Sequence, residues 1–468
     1  MKLKCSLCGD VFSDDYISCP KCNSTLLFEY EFHDYREGLL NPRFRNTSSI
    51  WRFNLLPRID YKCIVSLGEG GTYIHKSVNL PKYFDFNGEI YLKDESRNPT
   101  GSFIDRGVSI IISHVKCRGY NEVSVISPGN LGVSVSAYSS YAGIKSHIYI
   151  PLTIEKGKLY QILMYGGETY LVRDIREGLY KILRLWDENR VYPILPNNPY
   201  YMEGIKTIAY EIAESIGIKS TDGIVVPMGS GSLIYSLWKG FKELYELGCI
   251  KELPKLFGVQ IRGASPIVDA ILGSEEYRDE YIPELFYIEP LNKHLAIKAI
   301  EESGGYAFKI EYSEVLNSLK DVTRLEGIFM EIASAASIAS IRYVLNKFSV
   351  ERIIAIVTGH GLKDPATVRE IMYTLISKLG VERGLVKGLG RTKILILQAI
   401  SSGYDYGYSI WKYLSLHGVK IRLPTVYQHL KELEVAGLIH ISTKGGVGRE
   451  VTRYRLTREG YKILKALV

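Results

Sequence analysis

Several features that would place a chain outside the ordinary class of soluble globular proteins are missing from these 468 residues. The sequence contains no run of 18 or more apolar residues, which excludes a transmembrane helix. Its first residues lead into cysteines and glycine rather than into an apolar segment, so we expect no signal peptide. We therefore predict a cytoplasmic protein that has no membrane partner.

Cysteine is scarce, with seven residues, and four of them lie within the first 22 positions. A reducing cytoplasm disfavours disulfide bonds. The spacings Cys5-x-x-Cys8 and Cys19-x-x-Cys22 are typical of two knuckles whose four thiolates bind a structural Zn²⁺ ion tetrahedrally, with metal-free thiols as the alternative. We predict a zinc-ribbon-like domain over residues 1–30. Three further cysteines stand alone and are expected to be buried: Cys63, Cys117 and Cys249.

Positive charge is concentrated near the C-terminus. Residues 386–468 contain 14 Lys and Arg against five Asp and Glu, whereas the whole chain has a net charge of +7. The rest of the chain is therefore slightly acidic. This asymmetry indicates a nucleic acid partner for the C-terminal segment, with a solvated basic face as the alternative. The length exceeds what one hydrophobic core supports, so we expect two or three domains.

Between about residues 66 and 380, short β-rich segments alternate with segments of helical periodicity. The β-rich segments include residues 123–126, 147–150, 223–226 and 353–357. This alternation predicts an α/β fold with largely parallel sheets. Since such sheets bind ligands beyond the carboxyl ends of their strands, the glycine-containing loops after these segments are the candidate site.

Six short motifs lie in or near these loops. They are Gly-Glu-Gly-Gly-Thr from Gly68, Asn-Pro-Thr-Gly-Ser-Phe-Ile-Asp-Arg-Gly from Asn98, Ser-Pro-Gly-Asn from Ser127, Asn-Pro-Tyr from Asn198, Pro-Met-Gly-Ser-Gly-Ser from Pro227, and Thr-Gly-His-Gly from Thr358. Their order resembles threonine synthase, a fold-type II pyridoxal phosphate (PLP) enzyme with a tryptophan synthase β-like fold. The resemblance covers about two-thirds of the chain and implies a threonine synthase-like domain over residues 31–385.

The resemblance implies how PLP would be held. It places Asn130 beside the ring hydroxyl and Thr358 beside the pyridine nitrogen of the cofactor. Backbone N–H groups at a helix N-terminus would bind the phosphate. The implied phosphate loop consists of Gly229, Ser230, Gly231 and Ser232. Glycine-rich loops between strands and helices often serve only as turns, which is the alternative for this loop.

The resemblance also implies that the catalytic residue is missing. Where the family motif has the lysine that holds PLP covalently and moves the substrate proton, this chain has Ile104, and isoleucine does neither. No other residue is predicted to be catalytic, so PLP is expected to bind noncovalently. Lys93 and Lys363 lie in or beside the motifs, but the family has lysines there in addition to the catalytic one.

Two further positions depart from the family where substrate would bind. Pro128 replaces a usual Thr or Ser, which removes a hydroxyl and a backbone N–H. Tyr201 stands where threonine synthases commonly have arginine, so a cationic fork for the substrate phosphate is lost. We therefore do not expect O-phosphohomoserine as the ligand.

The C-terminal segment, residues 386–468, predicts a winged helix-turn-helix domain. Apolar periodicity indicates three helices near residues 394–400, 408–414 and 424–436, followed by two strand-like segments joined by a basic, glycine-rich loop. The run Thr-Val-Tyr from Thr425, with later Leu-x-x-Leu-Glu and Gly-Leu-Ile, resembles the PadR group of transcription regulators. In that geometry the third helix enters the major groove of DNA.

Candidate DNA contacts follow from this resemblance. Base-reading or phosphate-binding residues on the third helix are Thr425, Gln428 and Lys431. Phosphate-binding residues on the wing are Lys444, Arg449 and Arg453. Leu464 and Leu467 predict a C-terminal dimer helix, so a homodimer would recognise a twofold DNA site. A module for dimerisation or protein contacts alone is the alternative.

We therefore expect a DNA-binding transcription regulator whose threonine synthase-like domain, without its lysine, senses an amino acid, PLP or an aldimine of the two. One alternative is an active PLP-dependent threonine synthase or related lyase with an accessory winged helix. The other is a ligand-free scaffold that pairs with an active paralogue.

Overall fold

A computed structural model describes most of the chain. The described residues are 2–12, 16–32, 39–41, 43–44, 46–151, 154–189, 191–273, 282, 285, 289–365, 390–417, 419, 421–444 and 452–467. They divide into two compact units, Met1–Pro365 and Ala366–Val468. The predicted domain boundary at residue 385 lies outside the described residues.

The first unit contains three sheets and a set of α-helices. Its strands are β1 (Lys2–Cys5), β2 (Val11–Phe12), β3 (Leu26–Glu29), β4 (Ile74–Lys76), β5 (Glu89–Asp94), β6 (Glu122–Ile126), β7 (Lys145–Pro151), β8 (Glu168–Val172), β9 (Tyr192–Pro193), β10 (Asp222–Pro227), β11 (Lys255–Ile261), β12 (Tyr306–Ile310) and β13 (Arg352–Val357). Its helices are α1 (Leu80–Tyr83), α2 (Ile104–Cys117), α3 (Asn130–Ala142), α4 (Lys156–Met164), α5 (Ile175–Asn189), α6 (Pro199–Ile216), α7 (Ser232–Glu246), α8 (Pro266–Leu272), α9 (Lys293–Glu302), α10 (Tyr312–Glu326), α11 (Ile332–Ala339) and α12 (Ile341–Lys347).

The three sheets differ in strand direction. The N-terminal sheet has the order β2-β1-β3 and is antiparallel. The four-stranded sheet, β8-β7-β6-β9, is parallel throughout. The six-stranded sheet, β12-β11-β10-β13-β5-β4, is parallel except for its edge pair β4–β5. The predicted α/β fold with largely parallel sheets is confirmed.

The central strands and the helix beside them show why the sequence adopts this fold. Every residue of β10 and β13 is buried, as expected for strands of a parallel sheet covered on both faces. Helix α6 begins where the Asn198 side chain accepts a hydrogen bond from the Tyr200 N–H and Pro199 occupies the first turn. A Cβ atom at Gly204 would lie 2.0 Å from the Arg106 carbonyl oxygen, so glycine lets α6 pack directly against α2.

The second unit contains four helices and a hairpin within its described residues. They are α13 (Arg391–Ser401), α14 (Gly407–Leu416), α15 (Leu423–Val435), β14 (Ile439–Lys444), β15 (Thr452–Leu456) and α16 (Arg458–Leu467), with β14 and β15 antiparallel. The three predicted helices and two predicted strands are therefore found in the predicted order. The predicted C-terminal dimer helix stays a prediction; within it, Leu464 packs into the core of its own unit together with Ile396 and Leu433.

Two other expectations from the sequence can be compared with the structure. The three lone cysteines are not buried as predicted, because Cys63 is half-buried and Cys117 and Cys249 are exposed. Throughout the described ranges, each helix is too short or too polar to cross a membrane.

Candidate functional site

The predicted motifs meet where strands of the two larger sheets end. The Phe103 N–H donates to the Thr358 carbonyl oxygen at 3.0 Å, which joins the loop after β5 to the end of β13. A cavity of about 90 Å³ lies at this junction, and the loops after β6 and β10 complete its wall. Residues lining it include Ile104, Pro128, Asn130, Leu131, Tyr201, Gly229, Ser230, Gly231, Ser232, Glu331 and Thr358.

Ile104 is the first residue of α2 and forms part of the cavity wall. It is buried, with 9% of its surface exposed. Among the described residues that line the cavity there is no lysine. The wall therefore presents an aliphatic side chain at the position where covalent attachment of a carbonyl ligand needs an amine.

Two lysines of the neighbouring motifs are buried but bonded elsewhere. Lys93 Nζ donates to Glu211 Oε2 at 2.6 Å and to the Thr72 carbonyl oxygen at 2.8 Å. Lys363 Nζ donates to the Thr100 carbonyl oxygen at 2.5 Å, and burial lowers the pKa of Lys363 to about 8. Since neither lysine lines the cavity, neither places an amine on its wall in this arrangement.

A buried carboxylate, Glu331, connects the two residues that the resemblance assigns to the PLP ring. Glu331 Oε2 accepts from Asn130 Nδ2 at 2.8 Å, and its Oε1 accepts from Thr358 Oγ1 at 2.8 Å. The Ser334 hydroxyl accepts from the Thr358 N–H at 2.8 Å. Asn130 Oδ1 is buried without a hydrogen-bond partner among the described residues. The cluster therefore keeps one acceptor available to a ligand that carries a donor.

The glycine loop (residues 229–232) leads from β10 into the first turn of α7. Gly231 has φ +90°, a conformation that favours glycine. Within the described part of the chain, the N–H groups of Gly229, Ser230 and Gly231 donate to no protein acceptor. All three residues line the cavity. Free N–H groups at the start of a helix are the arrangement that binds phosphate, so the loop suits the role that the resemblance implies.

The departures from the family pattern lie on the same cavity. Pro128 lies between Ser127 and Gly129, and the Gly129 N–H is already donated to Ser127 Oγ at 3.1 Å. Tyr201 packs against α2, where a Cβ atom at Gly107 would lie 2.3 Å from its ring. This side of the cavity therefore presents a pyrrolidine ring and a phenol.

Beneath Ile104, the following two residues of α2 belong to a fully buried polar network. Arg106 donates from Nε to Glu95 at 2.6 Å and from its terminal nitrogens to both oxygens of Glu211 at 2.7 Å. Burial alone would raise the pKa of Glu211, but Arg106 and Lys93 hold it well below its usual range. Asp105 accepts from the N–H and the hydroxyl of Thr100, each at 2.6 Å. These bonds fix the loop before α2 from the side opposite the cavity.

The four N-terminal cysteines form a cluster at one end of the antiparallel sheet. Their sulfur atoms all lie within 4.8 Å of one another. Cys5 and Cys22 are 3.4 Å apart and Cys8 and Cys19 are 3.7 Å apart, measured between Sγ atoms. Sulfurs bound tetrahedrally to one zinc ion lie roughly 3.8 Å apart. The donor set and its spacing therefore fit a single tetrahedral ion.

The third helix of the second unit, α15, has one apolar and one polar face. Val426, Leu430 and Leu433 are buried in the core of the unit, whereas Gln428 and Lys431 are exposed and Thr425 is half-buried. Gln428 Nε2 donates to Glu432 Oε1 at 3.1 Å. The three predicted DNA-contacting residues of this helix therefore lie away from the core.

The wing residues are only partly described. Lys444 ends β14, and Arg449 lies outside the described residues. Arg453 is exposed on β15, but its Nη1 donates to both oxygens of Asp405 at 2.7 and 2.8 Å. An approach of Arg453 to a DNA phosphate would therefore have to share the guanidinium with Asp405.

The fold is that of an α/β protein with a loop-lined cavity at the ends of its strands, and comparisons with known families identify its class. The model of the family "Pyridoxal-phosphate dependent enzyme" matches residues 65–359, and that of the "Transcriptional regulator PadR-like family" matches residues 396–466. This chain belongs to the pyridoxal-phosphate-dependent enzyme family, and its threonine synthase-like domain is fused to a C-terminal PadR-like domain.

Curated relatives place the first domain more closely. The threonine synthase of Methanocaldococcus jannaschii is 36% identical over 379 residues, which cover 78% of this chain and 93% of that protein. The threonine synthase of Methanosarcina acetivorans is 35% identical over 382 residues, covering 79% of this chain and 94% of that protein. Both similarities span almost the whole length of the relatives.

Solved structures share the fold at low identity. Maize serine racemase has a TM-score of 0.54 at 19% identity, covering 66% of this chain and 93% of its own. Diaminopropionate ammonia lyase from Escherichia coli has a TM-score of 0.56 at 16% identity, covering 66% of this chain and 90% of its own. These likenesses support the fold.

Sequence reasoning missed Glu331 and gave no role to Asp105 or Arg106. Glu331 stands in the sequence as a single acidic residue between Met330 and Ile332. The local sequence indicates only that this charged residue, which lies in an apolar segment, needs a partner if it is buried. Those partners lie far away in sequence, as Asn130 does.

Proposed function

We propose that this protein is a DNA-binding transcription regulator in which the PLP-family domain is a sensor and not a catalyst. The observation that carries the proposal is the cavity wall at Ile104, where the family motif requires lysine and the described lining residues include none. A PadR-like domain on the same chain supports a regulatory role. The sensor would bind an amino acid, PLP or an aldimine of the two.

The chain's own residues suggest how such a ligand is held. The free N–H groups of the glycine loop would take a phosphate, and Asn130 and Thr358 would contact the ring, with Glu331 orienting both side chains. PLP supplies an electron sink when it is bound in enzymes of this class. Here Ile104 provides neither covalent anchor nor base, which in such enzymes contribute several orders of magnitude in rate.

The cysteine cluster and the PadR-like domain complete the proposal. Cys5, Cys8, Cys19 and Cys22 would bind one structural Zn²⁺ ion, since four thiolates leave no open coordination position for chemistry. The exposed face of α15 would enter the major groove through Thr425, Gln428 and Lys431. A homodimer would match a twofold DNA site.

An active enzyme is the second candidate, because the network around Arg106 is complete and the curated relatives are threonine synthases. Release of threonine and phosphate from O-phosphohomoserine in the presence of PLP would establish this alternative. Absence of turnover in the wild-type chain would reject it.

Regulation is tested by DNA binding. The target DNA is obtained by selecting the genomic fragments of the source organism that the full-length protein binds. Its dissociation constant is then measured by fluorescence anisotropy without ligand, with PLP, and with each amino acid alone or with PLP. We expect at least one addition to change the affinity about fivefold or more, the lower end of typical allosteric coupling. If no addition changes the affinity for DNA, the sensing role is rejected. A ligand that binds the DNA-competent and DNA-incompetent states equally does not shift the equilibrium between them.

A further inference from the structure

Asn292 lies immediately before α9 and bonds to three separate segments of the first unit. Its side chain is fully buried. Oδ1 accepts from Thr25 Oγ1 at 2.6 Å, and Nδ2 donates to Ser232 Oγ at 2.9 Å and to the Pro196 carbonyl oxygen at 3.3 Å. The Asn292 N–H donates to the Ser230 carbonyl oxygen at 3.0 Å. One residue thus connects the cysteine-containing sheet with the glycine loop.

On the cysteine side, Thr25 belongs to the segment that shapes both knuckles. Its carbonyl oxygen accepts from the Ser6 N–H at 3.0 Å, between Cys5 and Cys8. The neighbouring Ser24 carbonyl oxygen accepts from the Cys19 N–H at 2.8 Å. Thr25 is 1% exposed. The position of its hydroxyl therefore depends on how the two knuckles are folded.

On the cavity side, the glycine loop rests directly on Asn292. A Cβ atom at Gly231 would lie 2.7 Å from the Asn292 carbonyl oxygen, so there is no free space between the two backbones. Ser232 Oγ donates to the Pro196 carbonyl oxygen at 2.8 Å and accepts from Asn292 Nδ2 at 2.9 Å. Two bonds and one backbone contact therefore fix the loop whose residues line the cavity.

We infer that Asn292 is a positioning residue. Through it, the N-terminal sheet and its four cysteines, which we call the cysteine element, fix the glycine loop. Zn²⁺ on the four cysteines and a phosphorylated ligand on the loop therefore strengthen each other's binding. The inference rests on the phosphate role given to the loop above. Folding of the knuckles around zinc sets the Thr25 hydroxyl, Thr25 orients the Asn292 amide, and the amide holds Ser232 and the loop.

Thermodynamic reciprocity makes the inference measurable. If zinc tightens ligand binding by some factor, the ligand must tighten zinc binding by the same factor. A side chain that merely stabilises the fold would lower both affinities without linking them. The coupling factor therefore distinguishes a positioning role from a structural one.

Two conservative variants interrupt the connection at different points. Thr25→Val keeps the shape of residue 25 but removes the hydroxyl that meets Asn292 Oδ1. Asn292→Asp keeps the acceptor for Thr25 but removes the amide donor to Ser232. Ser18→Ala is the matched control, because it removes an exposed hydroxyl bond to Asn23 within the same cysteine element.

The experiment uses the full chain with PLP as the phosphorylated probe. The PLP dissociation constant is measured by absorbance in zinc-loaded and zinc-free protein, and the zinc dissociation constant by equilibrium competition with a chelator, with and without PLP. We expect a coupling factor of about tenfold in the wild type and in Ser18→Ala, within the usual allosteric range, obtained equally from both directions. In Thr25→Val and Asn292→Asp we expect less than about twofold, with folded protein verified by circular dichroism.

The outcomes separate this inference from the proposed function. Undiminished coupling in both variants, or no coupling in a wild type that binds PLP and zinc, overturns the inference and leaves the sensor proposal intact. A wild type that binds no PLP overturns the inference and the PLP form of the sensor together. A chain that takes up no zinc overturns the inference and the proposed zinc site, and leaves the sensor role intact.

Discussion

The loop before α2 and the first turn of α2 have two sides. These two sides differ in the polar side chains that they contain. On the side that faces the scaffold, Arg106 pairs with Glu95 and Glu211, and Asp105 is hydrogen-bonded to Thr100. The side that faces the cavity presents Ile104 and, from neighbouring elements, Pro128 and Tyr201. Breaking a buried ion pair costs several kcal/mol, whereas an apolar cavity wall costs nothing in stability. Stability alone therefore preserves the scaffold side and does not preserve catalytic residues.

The substitution with the largest expected effect is Ile104→Lys, which places an amine on the cavity wall. We expect borohydride to attach PLP covalently to this variant and not to the wild type, because the wild-type cavity has no lysine among its described lining residues. Mass spectrometry of the modified peptide is the measurement, with Ile104→Met as the control for an altered wall without an amine. Attachment of PLP to the wild-type chain at Lys363 or another lysine would contradict the prediction.

Breaking the scaffold side should cost stability. Arg106→Met removes a positive charge that is paired with the buried carboxylates of Glu95 and Glu211. We therefore expect the free energy of unfolding to fall by about 3–5 kcal/mol. Chemical denaturation of the first unit is the measurement. Arg97→Met removes an exposed arginine paired with Asp94 and should cost less than about 1 kcal/mol. Similar losses in the two variants would be evidence against the distinction between the two sides.

The interior of α2 gives a prediction about pH. His114 is buried and stacks on Tyr200 at 3.8 Å between ring centroids, and burial lowers the pKa of His114 to about 4 from its ordinary 6.5. Between these values the unfolded chain binds the extra proton, so stability falls as the pH falls. We expect acidification from about pH 7 to 4 to cost the wild type about 3 kcal/mol more than His114→Phe. Parallel stability curves, measured by denaturation at each pH, would refute this.

The smallest expected effect concerns the proposed DNA-binding face. Lys431→Ala should lower the slope of log affinity against log salt by about 1 at every DNA sequence, because it would remove a proposed phosphate contact. Gln428→Ala should leave that slope unchanged and weaken preference at one base pair by about 1–3 kcal/mol. Anisotropy titrations at several salt concentrations measure both effects. An unchanged slope in Lys431→Ala would remove this residue from the proposed interface.

Local patterns in the sequence were sufficient for most of the fold. Alternating segments predicted β6, β10 and β13, and the periodicity of residues 394–400, 408–414 and 424–436 predicted the helices of the second unit. The paired spacings of Cys5, Cys8, Cys19 and Cys22 predicted their cluster. Each of these signals arises between residues that are near in sequence, where geometry follows from backbone periodicity.

Contacts between distant residues were decided by the tertiary structure alone. Glu331 meets Asn130 across 201 positions, and Asn292 meets Thr25 across 267. For the same reason, the apolar periodicity of the last helix did not show that Leu464 packs into the core of its own unit, since an apolar stripe does not specify which surface it packs against. The sequence by itself determined the elements, the motif order and the isoleucine at position 104. Only the packing of those elements decided which buried polar groups are partners, because a buried donor or acceptor takes whichever complementary group the fold brings within hydrogen-bond distance.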